Sequence, residues 1–430
     1  MNEKFEVAIV GAGPSGCAAA YSLAKEGFQV LLIERGKYAG SKNLMGGRMY
    51  THALNQLIPD FWKDAPVERY VTNETLNFLT EDSSVSFEFK SQKLGGKIPN
   101  SFTLLRAKFD QWFASKAEDA GAMFIPNIRV DDLLWESGKV SGIVAGTDQL
   151  QSDVVIVADG AVSLLAEKAG LKKEFKPSQY GIGIKEVIEL PRETIEERFN
   201  LEGDEGSANL FIGHCTKSPS IRGGGFLYTN KNSLSLGIVA LIDQIMEKKI
   251  EFHSFIEDFK LHPKVKNLIK DGKVVEYSAH ALPEYINLKP QIYTDGLMVV
   301  GDAAGFVLNN GFTQRGMDFA IASGIAAAET VKFAYEKGDY SKQTLSYYEK
   351  LLNQSFVLKD LNTFKNAPNF LENPRLYSIY PELACGIFEN IFKVDGTPKK
   401  RILDIVREEM KKRINILTLI KDLINGVRSI

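Results

Sequence analysis

The stretch Phe5–Arg35, "FEVAIVGAGPSGCAAAYSLAKEGFQVLLIER", holds a complete supersecondary unit. Phe5–Val10 is rich in β-branched and apolar residues, Gly11, Gly13 and Gly16 complete G-x-G-x-x-G, and Ala18–Lys25 is built from strong helix formers. "FQVLLIE" then reads as a second strand ending in Glu34. Each glycine has its own task. Gly11 permits a tight turn, Gly13 lets backbone approach a pyrophosphate, and Gly16 lets helix and strand pack closely. The free N–H groups and positive dipole end of the helix favour phosphate. Glu34 follows Gly16 by 18 residues, the spacing at which a carboxylate accepts from ribose hydroxyls. Gly11, Ala12, Gly13, Pro14, Ser15, Gly16, Glu34 and the adjoining Arg35 are therefore candidates for the adenosine-diphosphate end of a dinucleotide. Cys17, among small residues of the helix, reads as a buried and inert thiol.

A nicotinamide dehydrogenase would continue with further βα units, and this chain does not. "GKYAGSKNLMGGRMYTHAL" follows, a loop rich in glycine and basic residues. There a Gly46–Gly47–Arg48 turn would let backbone pass a flat ring, and Lys42 or Arg48 would stabilise an anionic flavin. Arg106 opens the amphipathic stretch "RAKFDQWFASKAEDAGA", and "IRVDDLLWESGKVSGIVAG" (with Val130) reads as a hairpin. "SDVVIVADGAVSLLAEKAG" places Ala158, Asp159 and Gly160 between a buried strand and a helix. Far downstream, "DGLMVVGDAAG" sets Gly301 and Asp302 at another strand end, and a long alanine-rich helix follows through Gly311, Phe312 and Gly316. A second Gly–Asp loop suits an extended FAD: the first loop takes the ADP end, and the distant one takes the ribityl–flavin end. The helix dipole would face the flavin N1–C2=O edge.

Together these motifs resemble the flavoprotein group containing p-hydroxybenzoate hydroxylase, geranylgeranyl reductase and electron-transfer-flavoprotein:quinone oxidoreductase. Within it, "GSKNLMGGRMYTHAL", "YGIGIKEVIELP", "GGGFLYTNKNSLSLGIVALID" and the tail "NPRLYSIYPELACGIFENIFKVDGTPKK" are similar to the FixC-type branch over essentially the whole chain. The resemblance implies non-covalent FAD, electrons from an electron transfer flavoprotein of FixA/FixB-like subunits, and a quinone (menaquinone or ubiquinone) as acceptor. It also implies a small FixX-like [4Fe–4S] ferredoxin subunit and a complex that bifurcates electrons. Two departures separate the branches. Mitochondrial-type relatives carry four cluster cysteines, whereas this chain has three scattered ones, Cys17, Cys215 and Cys385. Prenyl reductases carry a tryptophan-containing substrate motif, and "GGGFLYTNKNSLSLG" has none. Polyprenyl reduction is the alternative activity.

The implied fold is α/β: a discontinuous Rossmann-like FAD domain (1–75, 100–170 and 275–355) with an inserted antiparallel quinone-side sheet (76–99 and 171–274) and a helical tail (356–430). A net charge of −2 over 430 residues gives no reason to expect nucleic acid. The five histidines lack metal-ligand spacing, so no metal site is expected, and no catalytic acid–base side chain is assigned because the chemistry belongs to the flavin. "MNEKFE" runs straight into a strand without a leader pattern, and no apolar run nears the ~20 residues of a membrane span. The expectation is a cytoplasmic protein held peripherally on the inner face of the cell membrane. Its anchor would be Arg401–Val427, read as one basic amphipathic helix with Ile405, Ile414, Leu417, Ile420, Leu423 and Ile424 on the apolar side.

Overall fold

The computed structural model describes residues 4–42, 47–173, 177, 180–217, 221–283 and 291–430. Gly46, expected beside the flavin ring, lies outside the described residues.

Two sheets organise the chain. In the first, Met123–Ile125, Val30–Ile33, Lys4–Val10, Asp148–Val157 and Leu297–Val299 lie side by side and parallel, with Tyr293–Thr294 antiparallel at the edge. Val30–Ile33 and Leu297–Val299 are buried throughout, as strands covered on both faces are. The hairpin Asp132–Glu136 and Lys139–Ala145 extends the sheet through Asp148–Val157. One cover is the helix Pro14–Lys25, pressed against the helix Met317–Lys337. They meet so closely that a Cβ on Gly324 would stand 2.2 Å from the Ser15 carbonyl oxygen. The start of the first helix is thus seated on the first turns of the second, although three hundred residues separate them in sequence.

The second sheet runs Lys273–Pro283, Tyr180–Glu189, Ser233–Leu241, Gly223–Thr229, Glu205–Gly213, Val67–Leu79, Ser101–Leu104, Arg48–Tyr50, with Ser84–Lys90 paired to Val67–Leu79. It draws on more of the chain than the sequence reading gave it. Arg48–Tyr50, the first half of Val67–Leu79, Ser101–Leu104 and Lys273–Pro283 were expected on the FAD side of the boundaries. The reason is the length of Val67–Leu79. Its start pairs with Ser101–Leu104 and its end with Ser84–Lys90, while Glu205–Gly213 runs parallel along its other edge. Arg69, fully buried at the start of this strand, donates to the carbonyls of Asn230 (2.8 Å), Gly203 (2.8 Å), Glu205 (3.0 Å) and Lys231 (3.3 Å), and to Glu196 (3.3 Å). One guanidinium thereby fastens two loops and the helix Arg192–Phe199 to the sheet.

Helices fill the C-terminal region. The tail is two helices, Ile402–Arg413 and Ile416–Ser429, where one was expected. Ile414 turns extended (φ −150°) and the Asn415 side chain caps the second helix at Leu417. Ile405 and Ile414 are buried against protein and leave the apolar side, whereas Leu417, Ile420, Leu423, Ile424 and Val427 stay exposed. The other side of the second helix is fixed by Asp422, which accepts from Arg375 (2.6 and 2.8 Å) and Tyr380 (2.5 Å). These donors hold the Asp422 carboxyl at about 2.

Candidate flavin site

A cavity of about 1290 Å³ runs between the two sheets. That exceeds the ~300–1,000 Å³ of an ordinary small-molecule pocket and suits an extended dinucleotide with a substrate beside it. One end is lined by Gly11, Gly13, Pro14, Ser15 and Glu34. Its middle holds Arg106, Ala158, Asp159, Gly160 and Asp302, and its far wall is Leu210, Ile212, Phe226, Tyr228 and Val239 of the second sheet. Leu361, Phe364, Leu371 and Tyr377 close it from the C-terminal side. Among the described residues, eleven Lys/Arg and four Asp/Glu line it, so in a chain of net charge −2 the cavity is an anion site.

The first loop has the shape a pyrophosphate needs. Gly11 sits at φ +106°, and a Cβ there would lie 2.3 Å from the Ala158 carbonyl oxygen. A Cβ on Gly16 would lie 1.9 Å from the Gly11 carbonyl oxygen. Gly16 is thus a packing glycine and does not line the cavity. The same holds for Ala12, whose N–H donates to Glu34 Oε2 (3.0 Å). Glu34 Oε1 accepts from Gly36 N–H (2.7 Å), so the carboxylate braces the loop while keeping lone pairs for a ribose. Arg35 is exposed at the rim, as is Lys42, and Val130 also lines the cavity. Glu34→Ala should weaken FAD binding about tenfold to a hundredfold, because two backbone donors lose their acceptor together with the ribose contact. Flavin-fluorescence titration of the apoprotein measures it. An unchanged dissociation constant would remove Glu34 from the ribose role.

At the middle, Arg106 is buried and bidentate to Asp110 (2.8 and 2.7 Å), and its charge also reaches Asp302. No protein donor reaches the Asp302 carboxylate among the described residues. Burial raises its pKa against the pull of Arg106 and Lys172. Asp159 Oδ1 is buried and has no partner either. Two such acceptors around a cationic trough fit the hydroxyl groups of a ribityl chain. Gly301 (φ +61°) lies behind this wall against Ser15 and lends the turn, not a surface. Lys172 was absent from the sequence reading. Its ammonium donates to the Ala161 and Val162 carbonyls (2.6 and 2.9 Å), lies over the Tyr180 ring, and lines the cavity. Only its place behind "ADGAVSLLAEKAGLK" could have marked it.

Three expectations at the ring end change. A Cβ on Gly47 would lie 2.6 Å from the Tyr228 ring, so the flat group passing this glycine is a tyrosine of the second sheet. Arg48 lines the cavity but pairs bidentately with Glu74 and stacks on Tyr50. Its charge is already answered, which lessens its value to an anionic flavin. Gly311 and Phe312 stand in the turn between Leu308–Asn309 and Gln314–Arg315 and do not open the helix, which begins at Met317 with Gly316 as its cap. Gly311 lines the cavity, while the Phe312 side chain is exposed. Gly223–Gly225 also line the cavity, but on their other sides Gly224 meets the Phe211 carbonyl and Gly225 the Phe259 ring. His214 and Cys215, neighbours on the chain, part: Cys215 points into the core and His214 lies 3.8 Å from Glu382. Among the described residues, no three His, Cys, Asp or Glu side chains gather as a metal site.

Family models match at three places. These are an NAD(P)-binding Rossmann-like domain at 9–73, an ETF-QO ubiquinone-binding domain at 180–282, and an ETF-QO/FixC family C-terminal domain at 367–430. Protein FixC of Escherichia coli O157:H7 is 47% identical over 425 residues, covering 98% of both chains. The chain belongs to the ETF-QO/FixC family. YdiS of E. coli K12, a probable electron transfer flavoprotein-quinone oxidoreductase, is 46% identical over the full length of both proteins. FixC of Azorhizobium caulinodans is 40% identical over 93% of this chain and 92% of its own. Among solved structures, a geranylgeranyl bacteriochlorophyll reductase-like protein from Thermoplasma acidophilum superposes with a TM-score of 0.73 over 99% of both chains at 23% identity. The flavin-dependent brominase Bmp2 gives 0.64 over 95% of this chain and 99% of its own, at 17% identity. These last two establish the fold. As a FixC-family member the protein is an FAD-dependent oxidoreductase. Bound there, FAD supplies the electron-carrying ring system, and this chain's residues hold it and set its surroundings.

Proposed function

We propose that the protein passes electrons from an electron transfer flavoprotein of FixA/FixB-like subunits, through its FAD, to a membrane quinone. The observation that carries this reading is the continuity of the cavity. It leads without a partition from the glycine loop to an apolar wall built by strands of the region matching the ubiquinone-binding family model. A flavin anchored at the loop reaches that wall, where Phe226 and Val239, with Leu361 closing from the C-terminal side, suit a quinone ring. The test is an anaerobic mixture of the holoprotein, a reduced electron transfer flavoprotein and a water-soluble quinone. Bleaching of the bound flavin followed by quinol formation is expected. Bleaching without quinol would leave the chain an electron wire inside a complex. A small FixX-like [4Fe–4S] subunit and bifurcation belong to the same reading, and flavodoxin- or ferredoxin-linked reduction by the assembled complex tests both.

A lipid-borne quinone calls for membrane contact, and among the described residues no helix is long and apolar enough to cross a bilayer. The contact proposed is peripheral, on the inner face of the membrane. The helix Ile416–Ser429 supports it: Leu417, Ile420, Leu423, Ile424 and Val427 are exposed, and Lys421 and Arg428 are exposed on the same helix. Its inner side packs on the helix Ala367–Leu371, whose Pro368 and Leu371 line the cavity. Removal of residues 415–430 is expected to weaken sedimentation with anionic liposomes about tenfold or more, since each lost cation near the surface costs about 1 kcal/mol. Reduction of a water-soluble quinone should persist. Equal liposome binding by both forms would assign the membrane contact to another surface.

A further inference from the structure

Two-electron reduction of a flavin takes up at least one proton, whatever acceptor follows, so protons must reach the ring from solvent. We infer that His52 and Asp318 form the proton inlet from solvent to the flavin end of this cavity.

His52 opens the short helix His52–Leu57 and is about half exposed, with Nε2 3.8 Å from Asp318 Oδ2. Asp318 is the second residue of the helix Met317–Lys337 and is 1% exposed. The residues just before it, Arg315, Gly316 and Met317, line the cavity. The pair therefore lies behind the wall, with its imidazole partly in water and its carboxyl bonded to Arg315, which lines the cavity. Arg315 holds the carboxyl in place through Oδ2 (2.8 and 2.5 Å) and braces itself on Asp360 (2.5 Å). Oδ1 is buried and has no partner. The neighbouring Tyr50 hydroxyl is likewise buried and unpartnered; burial raises its pKa, and the nearby Asp318 charge adds to the rise. Asp318 Oδ1 and the Tyr50 hydroxyl are both open to a further hydrogen bond, and Tyr50 stacks on Arg48, which lines the cavity.

Electrostatics suit exchange between the two groups. Burial lowers the pKa of His52, with Asp318 and Asp360 opposing and Arg315 reinforcing. Burial raises that of Asp318, opposed by Arg315 and His52. The two values move toward each other, which lowers the cost of moving a proton between them through one water across the 3.8 Å gap. The other charged or titratable groups around the pair are Arg48, bound to Glu74, and the phenols of Tyr50 and Tyr228. The electrons come from the reduced donor flavoprotein and the protons from water, so the reaction balances without a further reagent.

This inference rests on the oxidoreductase reading but not on the acceptor, and its test uses no quinone. The holoprotein is photoreduced in weakly buffered solution with a pH-indicating dye, and proton uptake is timed against flavin bleaching. In the wild type the two should coincide. In His52→Gln and Asp318→Asn, uptake should lag by about tenfold or more, with FAD content retained. Added imidazole should restore His52→Ala, which leaves room for it, and should not restore Asp318→Asn. Uptake in step with bleaching in both variants, or no response of His52→Ala to imidazole, would overturn the assignment. A chain that takes up protons by this route yet fails to reduce quinones would refute the proposed acceptor alone.

Discussion

Gly16→Ala is expected to yield a chain without bound FAD. The new methyl carbon would stand 1.9 Å from the Gly11 carbonyl oxygen and 3.3 Å from Ala158 Cβ. Neither neighbour can retreat cheaply. Gly11 is fixed at φ +106° between Ile33, whose carbonyl takes its N–H (2.8 Å), and the Ala158 backbone. Ala158 follows the central strand Asp148–Val157 and its N–H donates to the Val10 carbonyl (2.8 Å). Relief must come from moving the start of the helix Pro14–Lys25 off the sheet, and that start presents the N–H groups to the pyrophosphate. Ser15 would also leave Gly324 and Gly301, which pack on it. We expect FAD affinity to fall at least about a hundredfold, roughly two steps of 1.4 kcal/mol. The purified variant should be colourless, as absorbance at flavin wavelengths will show. A yellow Gly16→Ala protein of normal affinity would mean that helix and strand separate without cost.

Arg69→Ala should give the largest loss of stability among substitutions outside the cavity. The guanidinium is fully buried, and its removal strands four carbonyl acceptors and uncouples Glu196. Breaking a buried, fully bonded charge site costs about 3–5 kcal/mol. Urea unfolding of the holoprotein should show a lower midpoint. Arg69→Lys should recover only part of it, since one ammonium cannot serve carbonyls spread around a planar fork. A loss below about 1 kcal/mol would show that water takes over these carbonyls.

The two cases show what a sequence can and cannot carry. Gly11, Gly13, Gly16 and Glu34 were legible because their constraints are local: fixed spacing within one strand–loop–helix–strand unit sets the geometry. Asp302 was legible as a strand-end acid, since the Gly–Asp loop repeats that logic. Arg69 left no trace, because its partners lie at Glu196 to Lys231 and only the assembled sheet gathers them. Gly47 and Arg48 were placed at the cavity, but their immediate partners, Tyr228 and Glu74, belong to other strands. Arg401–Val427 was rightly read as amphipathic, yet its periodicity hid the break at Ile414, where Asn415 begins a new cap.

The parallel strand Leu297–Val299 joins the first sheet beside Asp148–Val157, after the whole excursion through the second sheet. On a ribosome, this means that the nucleotide-binding half waits, one strand short, while the intervening sheet is made. Asp302 and the helix that packs on Ser15 emerge only after that, and Leu371 and Tyr377 later still. Such distant pairings make assembly slow, and meanwhile the strand Asp148–Val157 offers an unpaired edge to other chains. Flavin supply then becomes a determinant of yield: FAD captured as the last walls arrive withdraws the chain from aggregation by mass action.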